Sequence, residues 1–343
     1  MQNKTRTTVK DVALAAGVSA STVSRVISNN PRISRATKEK VFKVMEELKY
    51  EPNAIARSLA NRRTGIIGVI LPVRSTENLL NPFFTEALRG IVQGASKHNY
   101  DVLLSTNSRT KDELSQIKSF IRGGKGDGLI LMTSSEHDPN LEYLLETDFP
   151  FTVIGSSSGY RINTVDNDNV KAAFDLTSHI IGEGKTNLYF AGGDKALNVT
   201  KDRLQGFINV LAEAGLPFSP AKVYTGEFNE ETGKKFAGKM LKLKIKPDAV
   251  VATDDVIAFG IAKTLADAGM RIPEDIAIGS FNNSILSRYS DCQLTTVDIN
   301  AYQLGYQSVE QLCTAIETGA RELKMVIDHT LIIRQSTAGG GKK

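Results

Sequence analysis

From Gly65 onward, short apolar runs alternate with longer amphipathic stretches of helical period. Ile66–Leu71, Val102–Ser105, Gly128–Met132, Phe151–Ile154, Asn187–Ala191, Val223–Thr225, Ala249–Thr253 and Ile276–Ser280 read as strands. Thr85–His98, Lys171–Gly182, Thr200–Ala214 and Asp255–Ala268 read as helices between them. A strand that feeds a helix and then another strand makes a parallel sheet, and the helices cover both of its faces. There are too many strands for one small sheet, so the pattern predicts two α/β subdomains. In open sheets of this kind a ligand sits beyond the carboxyl ends of the strands, here in the cleft between the subdomains.

The chain has 343 residues, more than one core of usual size absorbs, so the stretch before Gly65 is expected to be separate. Its charge supports this. Residues 1–64 hold 13 Lys and Arg against 5 Asp and Glu, whereas the remainder holds 29 against 33. A basic head on an acidic body points to a polyanion as the partner of the head alone. Thr8 is placed to cap a helix with Val9, Val12, Ala13 and Ala16 on one face. Gly17 gives the backbone freedom for a tight turn, and Ser19 caps a second helix with Val23, Val26 and Ile27 as its buried stripe. The other face of that helix carries Ala20, Ser21, Ser24 and Arg25. Short residues let a helix enter the major groove closely, and an arginine can pair with a guanine edge through two hydrogen bonds. Ser34 caps a third helix, in which Val41, Met45 and Leu48 repeat at helical spacing and Lys38, Lys40, Lys43 and Lys49 lie outward.

These residues carry a resemblance. VKDVALAAGVSASTVSRVIS, TKEKVFKVMEELKYEPN and AIARSLANRRT resemble the DNA-binding head of the LacI/GalR family of bacterial regulators. The body resembles the periplasmic-sugar-binding fold of the same regulators through IIGVILP, NPFFTEALRGI, GDGLILM, VDNDNVKAA, KDRLQGF, LTTVDIN and LIIRQST, in that order. The resemblance implies a lambda-repressor-like all-α head at 1–52 and a hinge helix and linker at 53–64. It implies a periplasmic-binding-protein-like α/β domain at 65–337 for effector binding and dimerisation, and a disordered tail at 338–343. Its N-subdomain would span about 65–165 and 298–326, and its C-subdomain about 166–297 and 327–337.

By the same resemblance Ala20, Ser21 and Arg25 read bases, while Ser19, Thr22, Ser24, Tyr50 and Asn53 position the head on phosphates. Ile55, Ala56, Leu59 and Ala60 form a narrow apolar strip that two copies would bury together. Leu59 would wedge into the minor groove at the centre of a palindrome, with Ala60 beside it. The effector site implied is Arg203, Asp254, Asn282 and Phe228 on one wall and Phe83 and Phe84 on the other. Polar side chains that grip hydroxyls and flat rings against C–H faces suit a sugar. Asp254 stands where many members of the family have Asn and offers acceptors only. The NLLNPFF and FNNS surroundings resemble the branch that regulates maltose operons in Gram-positive bacteria, which implies maltose or maltodextrin as effector.

The function predicted is a homodimeric, ligand-responsive regulator of double-stranded operator DNA, with a small sugar and no cofactor. Regulation of another sugar pathway, or by a phosphoprotein corepressor, stays open. A sugar receptor with an incidental basic head is the alternative from another class; it would need export, and MQNKTRTTVK has no apolar leader. A cytoplasmic protein without a membrane partner is therefore expected. Catalysis is not expected. Gly182 to Thr186 ends like a phosphate loop, but His179 stands at the required first glycine. His98, His137, His179 and His329 are scattered, and Cys292 and Cys313 fit no metal spacing. No apolar heptads end the chain, so a coiled-coil tetramer is not expected.

Overall fold

A computed structural model describes residues 7–28, 30–50, 63–72, 79–105, 112–157 and 159–338. Among the described residues the head has three helices, α1 (Val9–Ala16), α2 (Ala20–Ile27) and α3 (Arg35–Glu47). Each begins at a capping side chain. Thr8 and Asp11 satisfy each other's backbone amides in a capping box, Ser19 accepts from the Thr22 amide, and Ser34 from the Thr37 amide. Such caps are worth about 1 kcal/mol each because they occupy amides that the helix itself leaves without acceptors. Gly17 ends α1 at φ 63°, a conformation that side chains resist. Val12, Ala13, Ala16, Val23, Val26, Val41 and Met45 close over one another as the head's core.

Leu48 does not join that stripe. The helix stops at Glu47, Lys49 turns left-handed at φ 48°, and the Tyr50 amide returns to the Met45 carbonyl at 2.8 Å. This reversal leaves Leu48 36% exposed and packs Tyr50 on the core instead.

The described residues of the body form two six-stranded sheets. The first contains β1 (Ile66–Ile70), β2 (Asp101–Ser105), β3 (Gly128–Leu131), β4 (Phe151–Ile154), β5 (Thr164–Asp166) and β11 (Lys324–Val326), in the order β11-β5-β4-β3-β1-β2. All its neighbours are parallel. The second contains β6 (Leu188–Gly192), β7 (Val223–Thr225), β8 (Ala249–Ala252), β9 (Ala277–Phe281), β10 (Thr295–Asp298) and β12 (Thr330–Ile332), in the order β12-β10-β9-β8-β6-β7. Only β12 runs antiparallel to its neighbour. Strands β1, β3, β8 and β9 are buried almost throughout, the mark of a sheet covered on both faces.

The covering helices are α4 (Pro82–Lys97), α5 (Glu113–Arg122), α6 (Pro139–Glu146), α7 (Asn169–Gly182), α8 (Asn198–Glu213), α9 (Glu230–Met240), α10 (Asp255–Asp267), α11 (Ile285–Tyr289) and α12 (Ala301–Thr318). They pack closely in pairs where glycine removes the Cβ. A Cβ on Gly90 of α4 would lie 2.0 Å from the Tyr302 carbonyl oxygen of α12, and one on Gly206 of α8 2.1 Å from that of Val170 on α7. Helices α4, α7 and α8 begin two or three residues before the apolar period suggests. Asn81 and Asp168 cap two of them, with Pro82 in the first turn of α4, and these starts bring polar side chains to the cleft.

Three short connections join the sheets: after β5, after β10, and between β11 and β12. One amide ties all three. Asn167 Nδ2 donates to the carbonyls of Ile299 at 3.0 Å and Ile327 at 2.8 Å, and the Ile327 amide donates to the Asp166 carbonyl at 2.8 Å. The connections form a compact hinge at the floor of the cleft. Among the described residues no helix is long and apolar enough to cross a membrane, and no cluster of His, Cys, Asp or Glu is arranged to hold a metal.

Candidate functional site

On the head, Ser19, Ser21, Ser24 and Arg25 are exposed on or beside α2, and Thr22 is half-buried. The Ser19 hydroxyl lies 2.8 Å from those of both Ser21 and Thr22. A hydroxyl cluster at a helix N-terminus, where backbone amides also point outward, is suited to an anionic oxygen. Ala20 is only partly on this face, because its methyl packs against the head's core. Asn53, Leu59 and Ala60 lie outside the described residues.

In the body, a cavity of about 540 Å³ opens between the sheets, at the carboxyl ends of their strands. All six residues read from the sequence line it: Phe83 and Phe84 from the first lobe, Arg203, Phe228, Asp254 and Asn282 from the second. Phe83 and Phe84 meet edge to face with centroids 5.2 Å apart. Phe84 is largely absorbed in the core at 6% exposure, which leaves Phe83 as the more accessible ring. Phe228 seats its ring against Gly193, where a Cβ would come within 2.1 Å of it.

Arg203 is 3% exposed, and neutral oxygens hold it. Its Nε donates to Asn169 Oδ1 at 2.9 Å, its Nη1 to the Thr253 carbonyl at 2.6 Å, and its guanidinium lies over the Phe281 ring at 4.1 Å. Burial lowers it to about 10, and the surrounding carboxyls Asp254 and Asp166 oppose that fall. It remains a cation at neutral pH. These contacts fix the plane of the guanidinium at the cavity wall, a rigid fork of donors with no conformational freedom left to lose.

Asp254 departs from the acceptor offered to a ligand that the sequence suggested. Its oxygens already serve the protein. Oδ1 caps α10 by accepting from the Val256 amide at 2.7 Å, and Oδ2 accepts from Asn81 at 2.9 Å and Asn282 at 2.8 Å. Burial raises it to about 7, and the Asn81 hydrogen bond only partly offsets this. Asp166, on the cavity floor, is likewise raised to about 7 by burial. Asn282 holds an unusual φ of 99°, with its amide on the Val297 carbonyl at 2.8 Å.

Sequence reasoning missed Asn81, Asp166, Asn167 and Asn169, which also line the cavity. Asn81 was signalled by its place before Pro82, a helix-start pair. The others lie in VDNDN, whose density of short polar residues at a strand end marks a functional turn. The rim of the cleft is also bridged. Asn198 Nδ2 donates to Ser134 Oγ at 3.1 Å and to the Ser156 carbonyl at 3.2 Å, and Lys201 pairs with Glu136 at 2.6 Å.

A helix-turn-helix head joined to a two-lobed body with a polar, ring-lined cleft defines a ligand-responsive DNA-binding regulator. Residues 8–53 match the family described as bacterial regulatory proteins, lacI family, and residues 177–337 match a periplasmic binding protein-like domain. The chain is 40% identical over 311 residues to the HTH-type transcriptional regulator MalR of Streptococcus pneumoniae, covering 90% of this chain and 92% of that one. A CelR–cellobiose complex matches 96% of this chain and all of the other at 26% identity, with a TM-score of 0.75. The lac repressor dimer bound to operator shares the fold at TM-score 0.85, over 97% of this chain and all of that one, at 24% identity. The chain belongs to the LacI family of transcriptional regulators.

Proposed function

We propose that the chain is a dimeric repressor of a maltose or maltodextrin operon. It acts in the cytoplasm on a palindromic operator, and a neutral sugar in the cleft sets its affinity for DNA. The observation that carries this reading is the convergence of six residues, separated by up to 199 positions and chosen from the sequence, on one cavity of about 540 Å³. That volume suits a small oligosaccharide, and the lining supplies rings for its C–H faces and fixed donors and acceptors for its hydroxyls. A solved relative described as a probable maltose operon transcriptional repressor and the relative bound to cellobiose support the same class of ligand. Arg203 and Asn282 grip the hydroxyls, Phe83 and Phe228 flank the ring, and Phe84 and Asp254 support them from behind.

In this reading the head at 1–52 reads the operator through Arg25 and Ser21, with Ala20 allowing close approach. Ser19, Thr22, Ser24, Tyr50 and Asn53 set it on the phosphates. The segment at 53–64 pairs across the dyad and places Leu59 and Ala60 in the minor groove. The sugar shifts the equilibrium between two relations of the lobes because it binds one of them better.

A gel shift on operators selected from randomised palindromes tests the DNA half. Arg25→Ala is expected to weaken selected sites by about 1–3 kcal/mol while salt-sensitive binding to unrelated duplex persists. Equal preference for selected sites in the variant would remove Arg25 from the reading. Failure of the unaltered protein to select any site would favour a sugar receptor.

A further inference from the structure

Asn81 stands where the two lobes face each other across the cavity, and its side chain is used at both ends. Its Oδ1 accepts from the Phe83 amide at 3.0 Å and so starts α4, with Pro82 in the first turn. Its Nδ2 reaches over the cleft and donates to Asp254 Oδ2 at 2.9 Å. Asp254 caps α10 with its other oxygen and takes a second donor, Asn282, on the shared one. The N-termini of two helices from opposite lobes are thus tied through one amide–carboxylate hydrogen bond. The partners are 173 residues apart in the chain, and Asn81 and Asp254 are 4% and 3% exposed.

Two consequences follow from chemistry. A hydrogen bond to a buried carboxylate is strong, and its loss leaves an acceptor that no water reaches easily. The first residues of α4 are also Phe83 and Phe84, so the amide that spans the cleft is rigidly joined to the rings of one wall. Arg203, Phe228 and Asn282 cannot make this connection, since they sit on the same lobe as Asp254.

We infer that Asn81 is a positioning residue of the ligand cleft, its amide holding the Phe83–Phe84 wall in register with the Asp254 wall. The inference rests on the reading of this cavity as the effector site. Asn81 acts through Asp254 and through the start of α4. An unbridged cleft binds its sugar more weakly and transmits less of the binding to the head.

The test is a reciprocal exchange in the full chain. Asn81→Asp keeps the α4 cap, since Asp caps helices as well as Asn does, but it sets a carboxyl against a carboxyl. Asp254→Asn keeps the α10 cap and sets amide against amide. The double variant restores an amide–carboxylate pair with its polarity reversed, and Asn282 can turn its own amide to present an acceptor. Each single variant is expected to lower the melting temperature of the sugar-free protein and to weaken maltose binding, measured by titration calorimetry, by about ten- to a hundredfold. The exchange is expected to recover most of both losses. Additive losses in the exchange, or unchanged melting and maltose affinity in Asn81→Asp, would overturn the assignment. If the unaltered protein binds no maltose, the effector reading fails on its own, and the melting temperatures of the four proteins still decide whether the bridge exists.

Discussion

Asp254 shows what one residue type does in this cleft. Burial, opposed by hydrogen bonds from Asn81 and the Val256 amide and by the Arg203 charge, and reinforced by Asp255, lifts its carboxyl from 3.8 to about 7. A raised acid holds its proton more tightly in the folded chain than in the unfolded one. Between about pH 4 and pH 7 the unfolded chain has released that proton and the folded chain has kept it. Stability therefore falls as pH rises through this window, by at most about 1.4 kcal/mol per unit for the one group, and levels off above it. Asp254→Asn removes the titration. Its stability relative to the unaltered protein is expected to improve from pH 5 to about pH 7 and then level off in paired denaturant melts. A difference that stays constant with pH would contradict the shift. At this scale the sequence was informative about identity and silent about partners. Arg203, Phe83, Phe228 and Asn282 stand in recognisable strings. That Asp254 spends its acceptors on Asn81 and Asn282 was not legible, because a contact spanning 173 residues leaves no local pattern.

Among the elements, those with their own signals were readable. The head's helices carry Thr8, Ser19 and Ser34 as caps and Gly17 as a stop, and all four act as read. The strands β5, β10, β11 and β12 were absent from the apolar runs. Each mixes polar with apolar residues over three or four positions, so no apolar run marks it, and each adjoins a crossing between sheets. Their stability comes from the hinge, where Asn167 satisfies two carbonyls of other connections. Asn167→Ala would take the side-chain donor from both carbonyls, at about 1–3 kcal/mol each. The full chain is expected to lose about 2–5 kcal/mol in urea denaturation. A loss below 0.5 kcal/mol, about the noise of a surface change, would show that the crossings hold themselves without it.

At the scale of the whole molecule, the two sheets are similar open α/β layers placed so that their strand ends face one cavity. Each lobe has one apolar cluster of its own, and a third, which includes both Ile67 and Phe207, runs through both lobes, so their relative motion is centred on the short connections. The alternation of strands and helices made two lobes and a cleft legible. The dimensions of the cleft were not, since they depend on helix starts two or three residues earlier than the apolar pattern indicates. In the proposed function a sugar in this cavity and DNA on the head are coupled. The most direct measurement of that coupling is operator affinity by fluorescence anisotropy, with and without saturating maltose, in the unaltered chain and in Arg203→Ala. The unaltered chain is expected to change operator affinity by about 5- to 150-fold, the span of a coupling of about 1–3 kcal/mol. Arg203→Ala is expected to bind the same operator and not respond. Operator affinity indifferent to sugar in the unaltered chain, or an undiminished response in Arg203→Ala, would contradict it.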